Sequence, residues 1–179
     1  TMDDVESVGL LKIDFLGIRY LTMVSSIVEE IRKENPAFDI TKINYQDPKV
    51  YELFAKGKTE GIFQFESSGM KEKLNLLKPT EFNDIVAMNA LYRPGPMAQI
   101  EVYVRRKNKE EQVVYPHPHL EKILKDTYGV IVYQEQIMLI AVNFAHMSLN
   151  EADNMRRAVS KKKKEDLEYY GRIFIEKSV

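Results

Sequence analysis

The sequence contains no cysteine. This absence excludes disulfide bonds and thiolate zinc sites, and it suits a reducing cytoplasm. No apolar run approaches the roughly 20 residues that a helix needs to cross a bilayer, so no membrane association is predicted. Neither sign of charge is in excess, because 26 lysines and arginines nearly balance 27 aspartates and glutamates. Any contact with a polyanion must therefore come from local clusters of positive charge.

Common signatures of catalytic and metal sites are also missing. His117 and His119 alternate in a proline-rich loop and His146 stands alone, so the sequence predicts no zinc site. No Ser/His/Asp pattern, Walker loop or dinucleotide-binding fingerprint occurs. The candidates that remain are acidic, basic and hydroxyl side chains in a few short segments.

What the sequence does contain is mostly helical periodicity. The chain has 179 residues, of which 44% are hydrophobic and 30% charged, and it is long enough to bury a core. Apolar spacing and capping residues predict helices over 19–34, 48–56, 70–78, 81–92, 99–107, 118–125, 134–146, 149–159 and from 165. Alternating segments predict strands at 10–17 and 129–133, and a strand or extended turn at 61–66. The predicted fold class is mainly α with a few short β-strands.

The segment Leu10 to Gly17 is the most suggestive of these strands. Side chains alternate along a strand, so Lys12 and Asp14 would share one face. An aspartate beside a lysine at the end of an apolar strand suits a site that handles metal or phosphate. The alternative is a surface ion pair on a strand with one wet face.

Basic residues cluster in one stretch of the sequence, and one further arginine stands on a rigid loop. Arg156 and Arg157 lie near the end of a predicted helix, where neighbouring guanidinium groups suit bidentate phosphate binding. They precede a lysine run that suits a phosphate backbone, namely Lys161, Lys162, Lys163 and Lys164. Arg93 stands on a stiff loop in which two prolines flank a glycine. The alternatives are a solvated charged face for the cluster and a rigid surface turn for Arg93.

Two further residues occupy starts of helices. Ser67 offers a hydroxyl and nearby backbone N–H groups, which form either an anion site or a simple N-cap. Tyr133 lies where a strand is predicted to turn into a helix. It could stack on a base, or it could be a core tyrosine with a satisfied hydroxyl.

Five segments gain meaning when they are taken together: Leu11 to Gly17, Gly61 to Ser67, Leu91 to Pro96, Tyr128 to Gln136, and Ala152-Asp153 with Arg156-Arg157-Ala158. In this order they resemble the catalytic alpha subunits of bacterial DNA polymerase III, the C-family replicative polymerases. The resemblance is collinear and extends over essentially the whole chain. It implies a DNA-directed DNA polymerase that performs template-directed nucleotidyl transfer with two Mg²⁺ ions.

The resemblance also implies roles for the candidate residues. Asp14 would be a catalytic carboxylate and a metal ligand, and Lys12 would neutralise phosphate charge. A nucleotide site would be formed by Lys12, Ser67, Arg93, Tyr133, Arg156 and Arg157. The lysine run 161–164 would contact DNA. The implied partners are primer–template DNA, deoxynucleoside triphosphates, and a sliding clamp and other replisome subunits bound through regions that this sequence lacks.

Residues 1–18 are expected to form the edge of the palm and 19–179 the proximal fingers of a larger protein. Two further aspartates of the family's Asp-x-Asp pair are not in this sequence, so the chain alone is expected to be inactive and to bind Mg²⁺ weakly at most. The expected location is the cytoplasm, in association with the nucleoid. Two alternatives from other classes are a non-catalytic helical module that binds nucleotide or nucleic acid, and a plain interaction domain.

Overall fold

The computed structural model describes residues 2–11, 13, 15–161 and 164–178. This part of the chain forms α-helices joined by short 3₁₀ turns and loops. The helices are α1 Met2–Ser7, α2 Arg19–Glu34, α3 Pro48–Ala55, α4 Ser68–Leu77, α5 Phe82–Leu91, α6 Ile100–Lys107, α7 Glu121–Leu124, α8 Gln134–Asn143, α9 Leu149–Lys161 and α10 Lys164–Lys177. The 3₁₀ turns are Ile40–Lys42, Pro96–Gln99, Pro118–Leu120 and Lys125–Thr127.

Tertiary contacts divide the chain after residue 44 into two compact units. The first unit contains α1, α2 and the 3₁₀ turn Ile40–Lys42. The helix α2 has the bounds that its apolar spacing predicts, and it ends where Asn35 N–H donates to Ile31 O at 2.8 Å. Pro36 follows and cannot continue the helix. Arg32 Nε then donates to Phe38 O at 3.0 Å, which holds the following turn against the end of α2.

The second unit, residues 45–179, is built around two hydrophobic clusters. The larger one joins α3 to α6 with the segments between them, and its residues at or below 1% exposure are Met70, Leu74, Leu77, Ala87, Met88, Leu91, Ile100 and Tyr103. The smaller one lies among α8, α9 and α10, and its buried residues are Ala141, Ala145, Met147 and Ala152. Burial of these apolar side chains is the main favourable term in folding.

Capping residues define several helix starts where the sequence predicts them. Asp47 Oδ1 accepts from Lys49 N–H at 2.9 Å, and Pro48 is the first residue of α3. At α9, Ser148 N–H donates to Glu151 Oε2 at 2.8 Å while Ser148 Oγ accepts from Glu151 N–H at 3.3 Å. This reciprocal pair is the predicted capping box.

The prediction of short β-strands is wrong, because no strand forms within the described residues. In segment 129–133 two backbone N–H groups donate to a side chain that is close in sequence. Val132 and Tyr133 N–H donate to the Gln136 side chain at 2.8 and 3.0 Å. Gly129 has φ +78°, which turns the chain out of an extended path. The alternating apolar residues of this segment pack against the hydrophobic cluster and form no β-ladder.

Segment 10–17 also forms no strand within its described residues, whereas segment 61–66, which was predicted as a strand or an extended turn, forms turns. In 61–66, Ile62 N–H donates to Thr59 O and Phe65 N–H donates to Ile62 O, so the segment is a series of turns. At 10–17, where residues 12 and 14 lie outside the described residues, Leu10 N–H donates back to Val5 O at 3.2 Å. Phe15 is 94% exposed. Alternation alone cannot make a strand without a partner for its backbone groups.

A buried ion pair joins the ends of three helices in the second unit. Lys107 Nζ, in the last turn of α6, lies 3.3 Å from Asp84 Oδ2, and both side chains are almost fully buried. The same ammonium donates to Leu77 O at 3.2 Å and to Lys78 O at 2.7 Å. Asp84 Oδ2 also accepts from Thr80 N–H at 2.8 Å. Lys107 thus donates to carbonyl groups at the C-terminal end of α4 and neutralises the Asp84 carboxylate in the first turn of α5.

Replacing Lys107 by Met should therefore destabilise the chain strongly. The substitution keeps the apolar stem but leaves the Asp84 carboxylate buried and unpaired, which costs about 3–5 kcal/mol. Urea denaturation would measure this loss. Lys56→Met is the matched control, because Lys56 pairs with Glu52 on the exposed surface of α3 and should cost under about 1 kcal/mol. Equal free energies of unfolding for the two variants would contradict the assignment.

A second ion pair connects α9 with α10 at the surface. Lys177 Nζ donates to both carboxylate oxygens of Glu151 at 2.8 and 2.9 Å. This contact, followed by the hydrogen bonds from Ser148, lowers the pKa of Glu151 to about 2 from its ordinary value of 4.5. A depressed pKa in the folded state means that the stabilisation is complete above pH 4.5 and is lost as the pH falls through about 2.

The variant Glu151→Gln should therefore flatten the acid side of the stability curve between these two pH values. The midpoint of thermal unfolding, measured in steps from neutral pH to pH 2, would report the effect. Glu176→Gln, on the exposed surface of α10, is the control and should retain the acid dependence of the parent chain. An unchanged acid slope in Glu151→Gln would show that the contact with Lys177 does not contribute in solution.

Candidate functional site

Arg93 stands on a short rigid loop after α5. Arg93 N–H donates to Leu91 O at 2.8 Å, and Arg93 O accepts from Met97 N–H at 3.2 Å. Gly95 adopts φ +104°, a conformation that side chains other than glycine rarely allow. The Arg93 side chain is exposed, and within the described part of the chain its guanidinium makes no hydrogen bond or ion pair. A fixed backbone therefore presents a cation that is available to a ligand.

Tyr133 is the N-cap residue of α8. Its backbone N–H donates to Gln136 Oε1 at 3.0 Å, which fixes the entry of the chain into the helix. The side chain is half-buried, and burial, with a smaller effect from the Asp84 carboxylate, raises the pKa of Tyr133. The phenol is therefore neutral at physiological pH.

Arg93 and Tyr133 line the same open cavity of about 330 Å³. The other lining residues are Ala90, Pro96, Val132, Gln134 and Glu135. The structure thus brings together two predicted site residues that are 40 positions apart in sequence. Glu135 adds a carboxylate to the wall, so the cavity has both signs of charge.

Arg156 reaches the wall of this cavity from α9. Its Nη1 donates to Gln134 Oε1 at 2.7 Å, and its Nε and Nη2 donate to Asp153 Oδ1 at 2.9 and 2.8 Å. Arg157 Nε donates to the other oxygen of Asp153 at 2.8 Å, and its side chain is 61% exposed. Both arginines can pair with Asp153 because residues three and four positions apart lie on one helix face.

These contacts have an electrostatic consequence for Asp153. The hydrogen bond from Arg156, followed by the charge of Arg157, holds the pKa of Asp153 below its ordinary value. Asp153 therefore stays ionised and orients both guanidinium groups. Arg156 is connected with the cavity through Gln134, whereas no described contact connects Arg157 with it.

Ser67 acts as the N-cap of α4. Its Oγ accepts from Met70 N–H at 3.2 Å, which is the capping alternative considered from the sequence. Next to α4 lies a second cavity of about 340 Å³, lined by Gln64, Met70, Asn89, Tyr92 and Arg93. Ser67 does not line it, and its role in nucleotide binding stays a prediction.

Gly69 permits the close approach of α4 to Tyr92, the neighbour of Arg93. A Cβ atom at Gly69 would overlap the Tyr92 hydroxyl, so any larger residue must displace that ring. Reasoning from the sequence alone assigned no packing role to this glycine. A glycine in the first turn of a helix was the signal available, because it is a poor helix former and needs a packing reason.

The remaining predicted residues lie outside what the structure can assign. Lys12, Asp14, Lys162 and Lys163 are not among the described residues, and the same holds for the side chain of Lys161. Lys164 is exposed at the start of α10, with Nζ 3.8 Å from Glu168 Oε1. Their predicted roles in binding metal, nucleotide and DNA stay predictions.

Other features of the described residues do not point to a competing site. They contain no group of three or more His, Asp or Glu side chains that could hold a metal ion. They also contain no helix with the length and apolar character to cross a membrane. A wider cavity of about 600 Å³ is lined by His119, Lys122, Ile123, Asp126, Leu139 and Asn143, and it includes no predicted site residue.

Fold and site together define a helical domain with an open cavity that is lined by Arg93 and Tyr133, and Arg156 is bound to Gln134 at its wall. Residues 20–179 match the family described as the bacterial DNA polymerase III alpha subunit finger domain. The chain therefore belongs to this family. Similar proteins are the DNA polymerase III subunit alpha of Bacillus subtilis strain 168, which is 56% identical over 176 residues, and that of Staphylococcus aureus strain COL, which is 52% identical over 177 residues.

Both alignments include 98% of this chain, whereas the chain spans only 16% and 17% of the length of these two relatives. The resemblance inferred from the five segments is thereby confirmed. The match describes the finger domain, and the domain division expected at residues 18 and 19 stays a prediction.

Proposed function

We propose that the chain is part of a DNA-directed DNA polymerase of bacterial chromosome replication, and that its own task is to hold the incoming deoxynucleoside triphosphate. The observation that supports this most directly is the cavity shared by Arg93 and Tyr133, with Arg156 bound to Gln134 at its wall. Membership of the finger-domain family supports the polymerase as a whole. In this proposal the chain alone does not catalyse nucleotidyl transfer.

The two arginines would bind phosphate in different ways. Arg93 has all its guanidinium N–H groups available within the described structure, so it can form a bidentate contact with a triphosphate. Arg156 uses three of its five N–H groups on Asp153 and Gln134, which leaves one each on Nη1 and Nη2. Its orientation is fixed before a ligand arrives, so little entropy is lost on binding. Arg157 is oriented by the same aspartate and would add a second positive charge next to Arg156.

Tyr133 would contact the base instead of the phosphates. Its half-buried ring lies at the cavity, and a neutral phenol avoids repulsion with the polyanionic ligand. An aromatic face can stack on any base without sequence preference. This tolerance suits a site that must accept all four nucleotides opposite their template partners.

The lysine run is assigned to the DNA backbone. Lys161 ends α9 and Lys164 begins α10, and Lys162 and Lys163 stand between them in the sequence. Point charges on flexible stems suit phosphate contacts that carry no sequence information. Primer–template DNA is therefore the proposed partner here. A sliding clamp and other replisome subunits would bind elsewhere in the complete protein, whose proposed location is the cytoplasm and the nucleoid.

Magnesium is the proposed cofactor of the complete polymerase. Magnesium takes oxygen ligands, and Asp14 would supply one carboxylate, with Lys12 beside it as a partner for phosphate. Bound ions would stabilise the charge that develops in phosphoryl transfer. The described residues offer no acidic cluster for a metal ion, so the proposal rests on Asp14 and on carboxylates elsewhere in the complete protein.

Arg93→Ala in the complete polymerase should raise KM for the nucleotide with little change in affinity for primer–template. Loss of a charged hydrogen-bonding partner costs roughly 1.5–3 kcal/mol, or about ten- to a hundredfold. Steady-state kinetics that vary nucleotide and primer–template separately would measure it. Arg172→Ala, an exposed arginine on α10, is the matched control. If Arg93→Ala altered only the affinity for primer–template, the triphosphate assignment would be wrong.

Asp14→Asn in the complete polymerase should abolish nucleotide incorporation and leave binding of primer–template nearly intact. The amide keeps the shape of the carboxylate but cannot serve as an anionic ligand for Mg²⁺. Primer extension and DNA-binding titrations on the same preparation would separate the two effects. Parallel loss of DNA binding would instead assign Asp14 a role in folding.

A further inference from the structure

The side chain of Gln136 is buried, with 6% of its surface exposed, and all its hydrogen-bonding capacity is used. Its Oε1 accepts from Val132 N–H at 2.8 Å and from Tyr133 N–H at 3.0 Å. Its Nε2 donates to Thr127 Oγ1 at 2.8 Å and to Ile123 O at 3.3 Å. A buried amide with four good partners fixes the groups around it, because each unmade bond would cost desolvation.

These bonds form a continuous path toward the candidate site. Thr127 is buried, and its hydroxyl donates to Val130 O at 2.6 Å while accepting from Gln136. The path therefore connects α7 and the turn after it with the segment that enters α8. At its end lie Val132 and Tyr133, which both line the 330 Å³ cavity.

Within the described residues the N–H groups of Val132 and Tyr133 have no backbone acceptor, and the Gln136 side chain is their partner. The segment before it pairs with no neighbouring strand, so Gln136 takes the place of a β-ladder for two consecutive N–H groups. Glutamine suits this place because its amide both accepts and donates. Glutamate would accept but could not donate, and methionine would do neither.

We propose that Gln136 is a positioning residue for nucleotide binding, which acts by fixing the backbone of Val132 and Tyr133 at the cavity wall. This inference rests on the proposed function, because it matters for activity only if Tyr133 contacts the incoming nucleotide. Gln136 itself does not line the cavity, so its effect on the nucleotide is transmitted through Tyr133.

The first measurement is independent of catalysis. Hydrogen exchange of the complete polymerase, followed by mass spectrometry, reports protection of the amides in peptides that span 130–135. Gln136→Met should remove the protection of Val132 and Tyr133 and leave the peptides of α4 unchanged. Asn143→Leu is the matched control, because that exposed amide on α8 bonds only its own helix, through Leu139 O at 2.9 Å. Retained protection in Gln136→Met would overturn the inference.

The second measurement is steady-state kinetics on the same variants. Gln136→Met should raise KM for nucleotides about tenfold, the size of one or two lost hydrogen bonds, with an unchanged affinity for primer–template. Gln136→Glu retains the acceptor for Tyr133 and should raise this KM less. Its buried charge should nevertheless lower the melting temperature more than Met does. If Gln136 served stability alone, Gln136→Glu would exceed Gln136→Met both in the loss of melting temperature and in the rise of KM. A larger rise of KM in Gln136→Glu than in Gln136→Met would therefore overturn the inference.

The two proposals fail in different ways. If Arg93→Ala and Tyr133→Ala raise the nucleotide KM but Gln136→Met does not, the positioning role is wrong and the nucleotide site stands. If none of the three variants affects the nucleotide, the proposed function is wrong and the inference is lost with it. Support for both requires that Gln136→Met lose amide protection and raise KM while Asn143→Leu does neither.

Discussion

The second unit depends on the buried contact between Lys107 and Asp84 more than on any other single interaction. The ammonium of Lys107 donates to carbonyl groups at the C-terminal end of α4, which have no partner inside the helix, and it pairs with the Asp84 carboxylate in the first turn of α5. Helix ends leave backbone groups without internal partners, and burying them requires such a substitute. Within the described residues Asp84 Oδ1 has no hydrogen-bond partner, so the pair confers geometry at a cost in desolvation. This arrangement fixes the directions of α4, α5 and α6 relative to one another.

The same contact determines where the walls of the candidate site lie. Asp84 lies in the first turn of α5, and this helix ends at Leu91, two residues before Arg93, so its direction positions the arginine loop. The pKa values of Tyr103, Tyr128 and Tyr133 are all raised, mainly by burial and secondly by the charge of Asp84, and that of Tyr128 is raised to about 12. The three phenols therefore lie in the field of one carboxylate. Arg106 Nη1 donates to Tyr128 O at 3.1 Å, which ties α6 to the turn that leads to Tyr133.

Local signals in the sequence predicted the positions of α2 to α10, but they missed α1 and wrongly indicated strands. Asp47, Ser67 and Ser148 cap helices that they precede by one residue, and such contacts depend on nearest neighbours alone. A strand depends on a distant partner, which alternating apolar residues do not specify. At 129–133 the expected partner was replaced by Gln136, and a side chain that substitutes for a ladder leaves no periodic signature. The arginine loop was predictable because two prolines restrict the backbone locally and the glycine between them permits a positive φ.

Candidate site residues could be chosen one by one from the sequence, but their spatial arrangement could not be predicted. Arg93, Tyr133 and Arg156 were identified from their segments, whereas their meeting depends on contacts over more than 20 positions, such as Arg156 with Gln134. Asp153 illustrates the physical limit. It pairs with both Arg156 and Arg157, three and four positions further along α9, yet only the fold decides which arginine turns to the cavity. Within the described residues the Arg93 side chain has no polar partner, whereas Arg156 is held by Asp153 and Gln134. In the proposed nucleotide site one cation would therefore adapt to the ligand while the other would already be oriented.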